Sequence, residues 1–208
     1  TVQAKLLADY ISTLPNEKIS MVLEKDSLKV TSGHAQTIIK GLPSEEFPLI
    51  PKVTQKNHFQ VKAQAFKKAL SQVLFAAAMD ESRPEISGIY VKPAGKEVVL
   101  AATDSYRLAE KKVGLEQEYE ASEGMIVPTR TLQELIRMLD DSIELIDLYI
   151  NENQLLFVFS GIELVSRLIE GQYPDYEQII PSDFKTQATL NTREFIKIIK
   201  STSLFCKP

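Results

Sequence analysis

Val127-Pro128-Thr129-Arg130-Thr131-Leu132 repeats, 125 residues further along the chain, the pattern of Val2-Gln3-Ala4-Lys5-Leu6-Leu7. Both stretches continue with apolar residues at helical spacing, namely Ile136 and Leu139 in one and Ile11 and Leu14 in the other. A match at this distance indicates a repeated structural unit, and such repeats decide the architecture of a chain.

Further matches support the same period. Ser32-Gly33 corresponds to Ser160-Gly161, and Phe47-Pro48 corresponds to Tyr173-Pro174. Three apolar residues recur 129 positions later, with Val61, Phe66 and Phe75 matching Leu190, Phe195 and Leu204. The period is therefore about 128 residues with small insertions in loops.

The period predicts how the chain is divided. Residues 1–52 are expected to be the second half of one copy, residues 53–182 a complete copy and residues 183–208 the beginning of a third, so that the chain is an internal piece of a longer protein. Pro51 and Pro181 stand at the joins, where short linkers between compact units are typical.

Each complete copy is predicted to contain two helices and several strands. Apolar residues at a 3.6-residue period predict helices over residues 63–78 and 129–139. Residues 87–91 and 98–103 are predicted to form a hairpin around a turn at 93–96, and further strands are expected over 146–150, 155–159 and 162–168. The fold class is therefore α+β, with antiparallel sheets that carry helices on one side only.

Composition narrows the functional class. The 208 residues are 44% apolar and 25% charged, with a single cysteine, Cys206, and two histidines, His34 and His58. No internal disulfide is possible and no metal-ligand spacing occurs, so neither a metal nor a cofactor is predicted. The chain contains no long apolar run, which predicts no membrane segment and a cytoplasmic location.

Charge is unevenly distributed. The four predicted helices carry a net charge of +5, which leaves −9 for the remainder of a chain whose total is −4. A surface lined by such helices would attract phosphate without reading base sequence. The alternative is that these are ordinary solvated helix faces. The residues predicted to face DNA are Lys5, Lys67, Lys68, Arg130, Arg137, Arg193, Lys197 and Lys200.

Several motifs resemble one family. They are residues 80–84 (Asp-Glu-Ser-Arg-Pro) with Ser87-Gly88, residues 102–108 (Ala-Thr-Asp-Ser-Tyr-Arg-Leu), residues 126–130 (Ile-Val-Pro-Thr-Arg) and residues 170–176 (Glu-Gly-Gln-Tyr-Pro-Asp-Tyr). Together, and in this order, they resemble the β sliding clamp of bacterial DNA polymerase III. The resemblance implies repeated clamp domains in a homodimeric ring, with helices inside facing double-stranded DNA and sheets outside.

The resemblance also implies a pocket for short linear motifs of the replicative polymerase, the clamp loader and repair proteins. Carried onto this sequence, the pocket residues are Ile86, Thr103, Ser105, Tyr106, Arg107, Leu108, Pro174 and Ile179. Tyr106 departs from the histidine found in many members. Taken singly, the residues have simpler explanations, because Thr103-Asp104-Ser105 is also typical of an ordinary turn and Leu108 of a core position.

Two other functional classes remain open at this point. Asp80, Glu81 and Asp104 are the carboxylates that a metal-dependent nuclease would need, although no phosphate-binding glycine loop or paired nucleophile accompanies them. A protein-interaction scaffold with no DNA role would also explain the acidic total. The sequence favours a non-enzymatic clamp over both.

Overall fold

The computed structural model describes residues 1–46, 57–80, 82–120 and 123–206. The predicted linker at Pro51, the boundary at residues 52 and 53 and the carboxylate Glu81 lie outside these residues. Contacts along the chain separate two compact units, Thr1–Val53 and Thr54–Pro208.

Within residues 1–46 the first unit contains one α-helix, one sheet and a short 3₁₀ turn at Ser44–Glu46. Helix α1 (Ala4–Thr13) is followed by β1 (Ile19–Glu24), β2 (Ser27–Ser32) and β3 (Ala35–Lys40). The strands form an antiparallel sheet in the order β1-β2-β3. Val30 and Ser32 of β2 are buried while the flanking strands are mostly exposed. The central strand therefore carries the small core of this unit.

In its described residues the second unit contains seven strands and four α-helices. The strands are β4 (Asn57–Lys62), β5 (Gly88–Thr103), β6 (Leu108–Tyr119), β7 (Met125–Pro128), β8 (Leu145–Asn151), β9 (Gln154–Phe159) and β10 (Ile162–Arg167). The helices are α2 (Ala63–Val73), α3 (Pro84–Ser87), α4 (Thr129–Met138) and α5 (Thr192–Ser203). The sheet has the order β10-β9-β8-β4-β6-β5-β7, and its described pairings are antiparallel. The predicted α+β class is confirmed.

The elements recur at the intervals that the sequence predicted. Helix α1 begins at Ala4 and α4 at Thr129, which is 125 residues later, and each is followed by three strands. Strand β2 begins at Ser27 and β9 at Gln154, 127 residues later. The repeat seen in the sequence is thus also a repeat of secondary structure.

A main core joins α2 and α4 to one side of the seven-stranded sheet. Phe66 and Leu70 of α2 and Leu132 and Leu135 of α4 are fully buried in it. Their spacing of three to four residues places them on one face of each helix, as amphipathic packing on a sheet requires. We call the side of the sheet that α2 and α4 cover the helical side, and the opposite face the outer side.

The prediction of a hairpin over residues 87–103 is wrong. Residues 88–103 form the single strand β5, which pairs with β7 at its beginning and with β6 at its end. Ile89 and Val91 are odd-numbered, whereas Val98 and Leu100 are even-numbered, yet all four lie in the main core. An irregularity at Gly95, where φ is +60°, changes the alternation, and the resulting pattern resembles two strands separated by a turn.

A second, smaller cluster lies on the outer side. Ala101, Ile126, Tyr173 and Tyr176 are buried there, and Tyr90, Leu108 and Ile169 pack around them. Tyr173 and Tyr176 come from the segment after β10, which folds back over the sheet without forming a strand. Around β5 the sheet is therefore covered on both sides.

The remaining predictions of secondary structure are largely confirmed. Helix α4 and strands β8, β9 and β10 lie within one or two residues of the predicted limits. Helix α2 ends earlier than expected, at Val73, and continues as a 3₁₀ turn over Leu74–Ala76. No helix in the described ranges has the length and apolar character that a membrane span requires.

Candidate functional site

The turn between β5 and β6 is closed by its own side chains. The Asp104 carboxylate accepts hydrogen bonds from the backbone N–H groups of Tyr106 (3.0 Å) and Arg107 (2.9 Å). Thr103 donates its hydroxyl to the Arg107 carbonyl at 2.9 Å and accepts from the N–H of Ser105 at 3.1 Å. Ser105 has a φ of +76°, and its hydroxyl accepts a bond from Arg83 at 2.8 Å. The residues form the hydrogen-bonded turn that the simpler explanation expected.

This turn also orients Arg107. Its guanidinium Nε lies 2.9 Å from the second carboxylate oxygen of Asp104. Hydrogen bonds from the backbone N–H groups of Arg107 and Tyr106, followed by the charge of Arg107, lower the pKa of Asp104 below its ordinary value. The carboxylate is therefore ionised at neutral pH and holds the arginine in one direction.

Arg107 faces an apolar cleft of about 530 Å³, which we call the arginine cleft. The guanidinium carbon lies 5.6 Å from the centre of the Phe75 ring, within the range of a cation–π contact. Phe75 is 59% exposed and Met79 fully exposed, so both present apolar surface to a ligand. The cleft is lined by Leu74, Phe75, Ala77, Ala78, Met79, Ser87, Arg107, Pro128, Thr129, Arg130, Gln133 and Ile169.

The eight predicted pocket residues do not share one described cavity. Only Arg107 lines the arginine cleft. Pro174 lines a separate cavity of about 790 Å³ on the outer side, and Ile179 lines none of the described cavities and is 67% exposed. Ile86 and Thr103 are buried, at 2% and 7% exposure, whereas Tyr106 projects into solvent at 98%. The assignment of the pocket stays a prediction.

Sequence reasoning missed the apolar wall of the arginine cleft, above all Phe75 and Met79. A signal for Phe75 was present, because it follows Phe66 by nine residues. At about 100° per residue this places the two rings on opposite faces of a helix. Since Phe66 belongs to the core stripe, a large aromatic residue opposite to it indicates an exposed apolar contact.

The predicted DNA-facing residues lie on the described helices. Lys67 of α2 donates a hydrogen bond to the Leu139 carbonyl at 2.5 Å, which ties α2 to the carboxyl end of α4. That end carries the negative pole of the helix, so the lysine charge is favourable there. Lys68 of α2 is exposed beside it, and Arg137 of α4 is exposed and pairs with Glu134 at 2.7 Å. The structure thus places two of the predicted basic helices, α2 and α4, side by side.

The other predicted basic residues are also exposed. Lys5 lies on α1 in the first unit, and Arg193, Lys197 and Lys200 lie on α5 in the second. Arg130 lies at the start of α4, where it also lines the arginine cleft. Arg130 therefore belongs both to a predicted basic helix and to the lining of the arginine cleft.

Two carboxylates of the nuclease hypothesis, Asp80 and Asp104, already have partners in the described structure. Asp80 accepts the Ser82 hydroxyl at 2.6 Å, and Asp104 is bonded to Arg107. In the described ranges, no group of three His, Cys, Asp or Glu side chains is arranged to hold a metal ion.

Two family models match this chain. The model of the DNA polymerase III beta subunit, N-terminal domain, matches residues 1–51, and that of its central domain matches residues 60–175. The second match alone covers more than half of the chain.

Curated relatives give the same result. The beta sliding clamp of Bacillus subtilis (strain 168) is 33% identical over 207 residues, which are 99% of this chain and 55% of the relative. That of Staphylococcus aureus (strain N315) is 31% identical over 204 residues, 98% of this chain and 54% of the relative. The chain thus spans about half the length of the curated relatives it matches.

Solved structures agree with the fold. The DNA polymerase sliding clamp from Bacillus subtilis superimposes with a TM-score of 0.93 at 32% identity and covers 99% of this chain and 55% of its own. The DNA polymerase III beta chain from Streptococcus pneumoniae TIGR4 gives 0.88 at 31% identity, with 98% and 54% covered. Together with the family models, these likenesses confirm the resemblance first seen in the motifs: the chain belongs to the family of the DNA polymerase III beta subunit, the beta sliding clamp.

Proposed function

We propose that this chain is part of a sliding clamp that encircles duplex DNA without reading its sequence and holds the replicative polymerase on its template. The observation that carries the proposal is that the adjacent helices α2 and α4, on the helical side of the sheet, expose the side chains of Lys68, Arg130 and Arg137. The names of the matched relatives support the same function.

The proposed mechanism is electrostatic and involves no catalysis. Lysine and arginine side chains contact the phosphate backbone, whose charge is the same for every base sequence, and the contacts can move along it. A role of this kind requires no nucleophile, general base or metal. The protein is accordingly proposed to be a processivity factor and not an enzyme.

The domain arrangement is proposed on the same grounds. Residues 1–52 would be the second half of the first clamp domain, residues 53–182 the second domain and residues 183–208 the beginning of the third. In the complete protein two subunits would close head to tail into a homodimeric ring. The similar spacings of 125 residues between α1 and α4 and of 127 residues between β2 and β9 support this division.

The DNA proposal is tested by the salt dependence of binding. Fluorescence anisotropy with two labelled duplexes of unrelated sequence should give equal affinities. The logarithm of the binding constant should fall linearly with the logarithm of salt concentration between about 50 and about 200 mM. Absence of binding at the lower salt concentration, or a strong preference for one duplex, would contradict the proposal and favour the scaffold alternative.

The second part of the proposal concerns partners. The polymerase, the clamp loader and repair proteins are proposed to attach through short linear motifs that reach the end of the β5–β6 hairpin. Apolar anchors would contact Leu108 and the predicted walls Pro174 and Ile179, and Arg107 would bond to peptide carbonyl groups or to an acidic side chain.

We expect Arg107→Ala to weaken peptide binding by about five- to tenfold, because a hydrogen bond to a charged group contributes about 1.5–3 kcal/mol at most sites and less where it is exposed. Leu108→Ala should have a similar effect through loss of an apolar contact. The measurement is fluorescence polarisation with a labelled hexapeptide that carries leucine and phenylalanine anchors. Lys96→Ala, in the middle of β5, is the control. Unchanged affinity in both test variants would remove the assigned pocket.

A further inference from the structure

The segment after β10 carries two predicted pocket residues, Pro174 and Ile179, and is attached to the outer side of the sheet by tyrosines. Tyr173 is 8% exposed and Tyr176 4% exposed, whereas Pro174 between them is exposed. Apart from the 3₁₀ turn Tyr176–Ile179 the segment has no regular structure. These two side chains, together with Ile169 at the start of the segment, attach it to the sheet.

The rings form one packed group with Tyr90 of β5, which we call the tyrosine cluster. Tyr90 and Tyr173 are stacked with centroids 4.9 Å apart and an interplanar angle of 19°. Tyr176 meets Tyr90 and Tyr173 edge-on, at 6.2 and 6.3 Å. Both arrangements are favourable for aromatic pairs. Gly124 completes the packing, because a Cβ there would lie 2.1 Å from the Tyr90 ring.

One polar contact fixes the cluster to strand β6. The Tyr176 hydroxyl donates to the Glu110 carboxylate at 2.7 Å, a link between residues 66 positions apart in the sequence. Burial, then the hydrogen bond to Glu110 and its charge, raise the pKa of Tyr176 above its ordinary value. Burial likewise raises the pKa of Tyr173 to about 12. The phenol of Tyr176 is thus protonated at neutral pH and available as a donor.

Glu110 stands two residues after Leu108 on the same face of β6, since side chains alternate along a strand. Leu108 packs against the tyrosine cluster from that strand. Pro174 and Ile179 flank Tyr176 in the segment after β10. The Glu110–Tyr176 bond therefore joins the two sequence-distant parts of the predicted peptide site without belonging to either.

We propose that Glu110 and Tyr176 are positioning residues for the peptide site: their hydrogen bond holds the segment of Pro174 and Ile179 in register with Leu108. The inference rests on the proposed peptide-binding function. When a segment must be ordered before the peptide binds, the apparent affinity is proportional to the fraction of molecules in the competent arrangement. Breaking the bond should consequently weaken peptide binding although neither residue touches the peptide.

The test compares four variants and a control in the peptide polarisation assay and in hydrogen exchange of residues 172–180. Tyr176→Phe and Glu110→Ala should each weaken binding about three- to tenfold and accelerate exchange in this segment. Combined, they should do little more than either alone, because both remove the same bond. Glu110→Gln keeps an acceptor oxygen and should remain within about twofold of the unmodified chain. Tyr149→Phe, on the outer side where the ring stacks on His58, is the matched control.

The outcomes distinguish a failure of the positioning role from a failure of the proposed peptide site. Faster exchange with unchanged affinity would show that the bond only stabilises the fold, and additive losses in the double variant would show that the residues act separately. Either result overturns the positioning role while the peptide site stands. Failure of the unmodified chain to bind the hexapeptide would instead overturn the proposed site, and the positioning role with it.

Discussion

Replacing Phe66 with alanine is expected to lower the free energy of unfolding of the second unit by about 3–5 kcal/mol. The ring is fully buried in the main core, where α2 meets the sheet. Its removal forfeits the transfer free energy of the ring and leaves a cavity that the surrounding strands cannot fill completely. Since total stabilities are about 5–15 kcal/mol, this is a large part of the whole.

Phe75→Ala provides the control, since it removes the same side chain nine residues later from a position that is 59% exposed. It should cost less than about 1 kcal/mol. Urea denaturation followed by circular dichroism measures both variants. If the two substitutions destabilise the chain equally, the placement of α2 on the sheet is incorrect.

The second large effect is expected in DNA binding. The double variant Lys68→Ala/Arg137→Ala removes two exposed charges from adjacent helices on the helical side, where Arg137 pairs with the partly buried Glu134. If each charge contacts one phosphate, the slope of the salt dependence should fall by about 1.8. Affinity near physiological salt should fall by roughly 10- to 50-fold.

The control for this experiment is Lys92→Ala/Lys112→Ala. It makes the same change in net charge on the outer side of the sheet. Lys92 lies near Tyr90 in a cavity there, and Lys112 precedes the core residue Val113 on β6. We expect the DNA affinity of this variant to change by less than about twofold, because the two charges are remote from the phosphates. Equal losses in the two pairs would mean that only total charge matters, and the helical side would lose its proposed role.

Sequence alone predicted the repeat, the amphipathic helices and most strands, because each rests on periodicity over many residues. Phe66, Leu70 and Val73 mark the buried face of α2 whatever lies around it. The change to a 3₁₀ turn after Val73 was not predictable, since alanines 76–78 are compatible with either helix type. Phe75 lies within this turn, with its ring centre 5.6 Å from the guanidinium carbon of Arg107.

The site was predictable only in part, for a similar reason. The turn residues Thr103, Asp104 and Ser105 form a motif that can be recognised locally. Phe75, in contrast, meets Arg107 only through the packing of α2 against the sheet, and a contact between distant residues leaves no periodic signal in one sequence. The tyrosine cluster was missed because its three rings come from β5 and from an irregular segment more than 80 residues later.

Because of the irregularity at Gly95, the number of residues between the two halves of β5 is fixed. Adding or deleting one residue between Val91 and Val98 would rotate one half of the strand by half a turn relative to the other. Ile89 would then face Tyr173, and the phenol of Tyr90 would be driven among the aliphatic side chains beneath α2. Surface turns such as the one at Glu152 place no such demand on the chain. Among homologous proteins, gaps in an alignment should therefore accumulate at those turns and be rare along this strand.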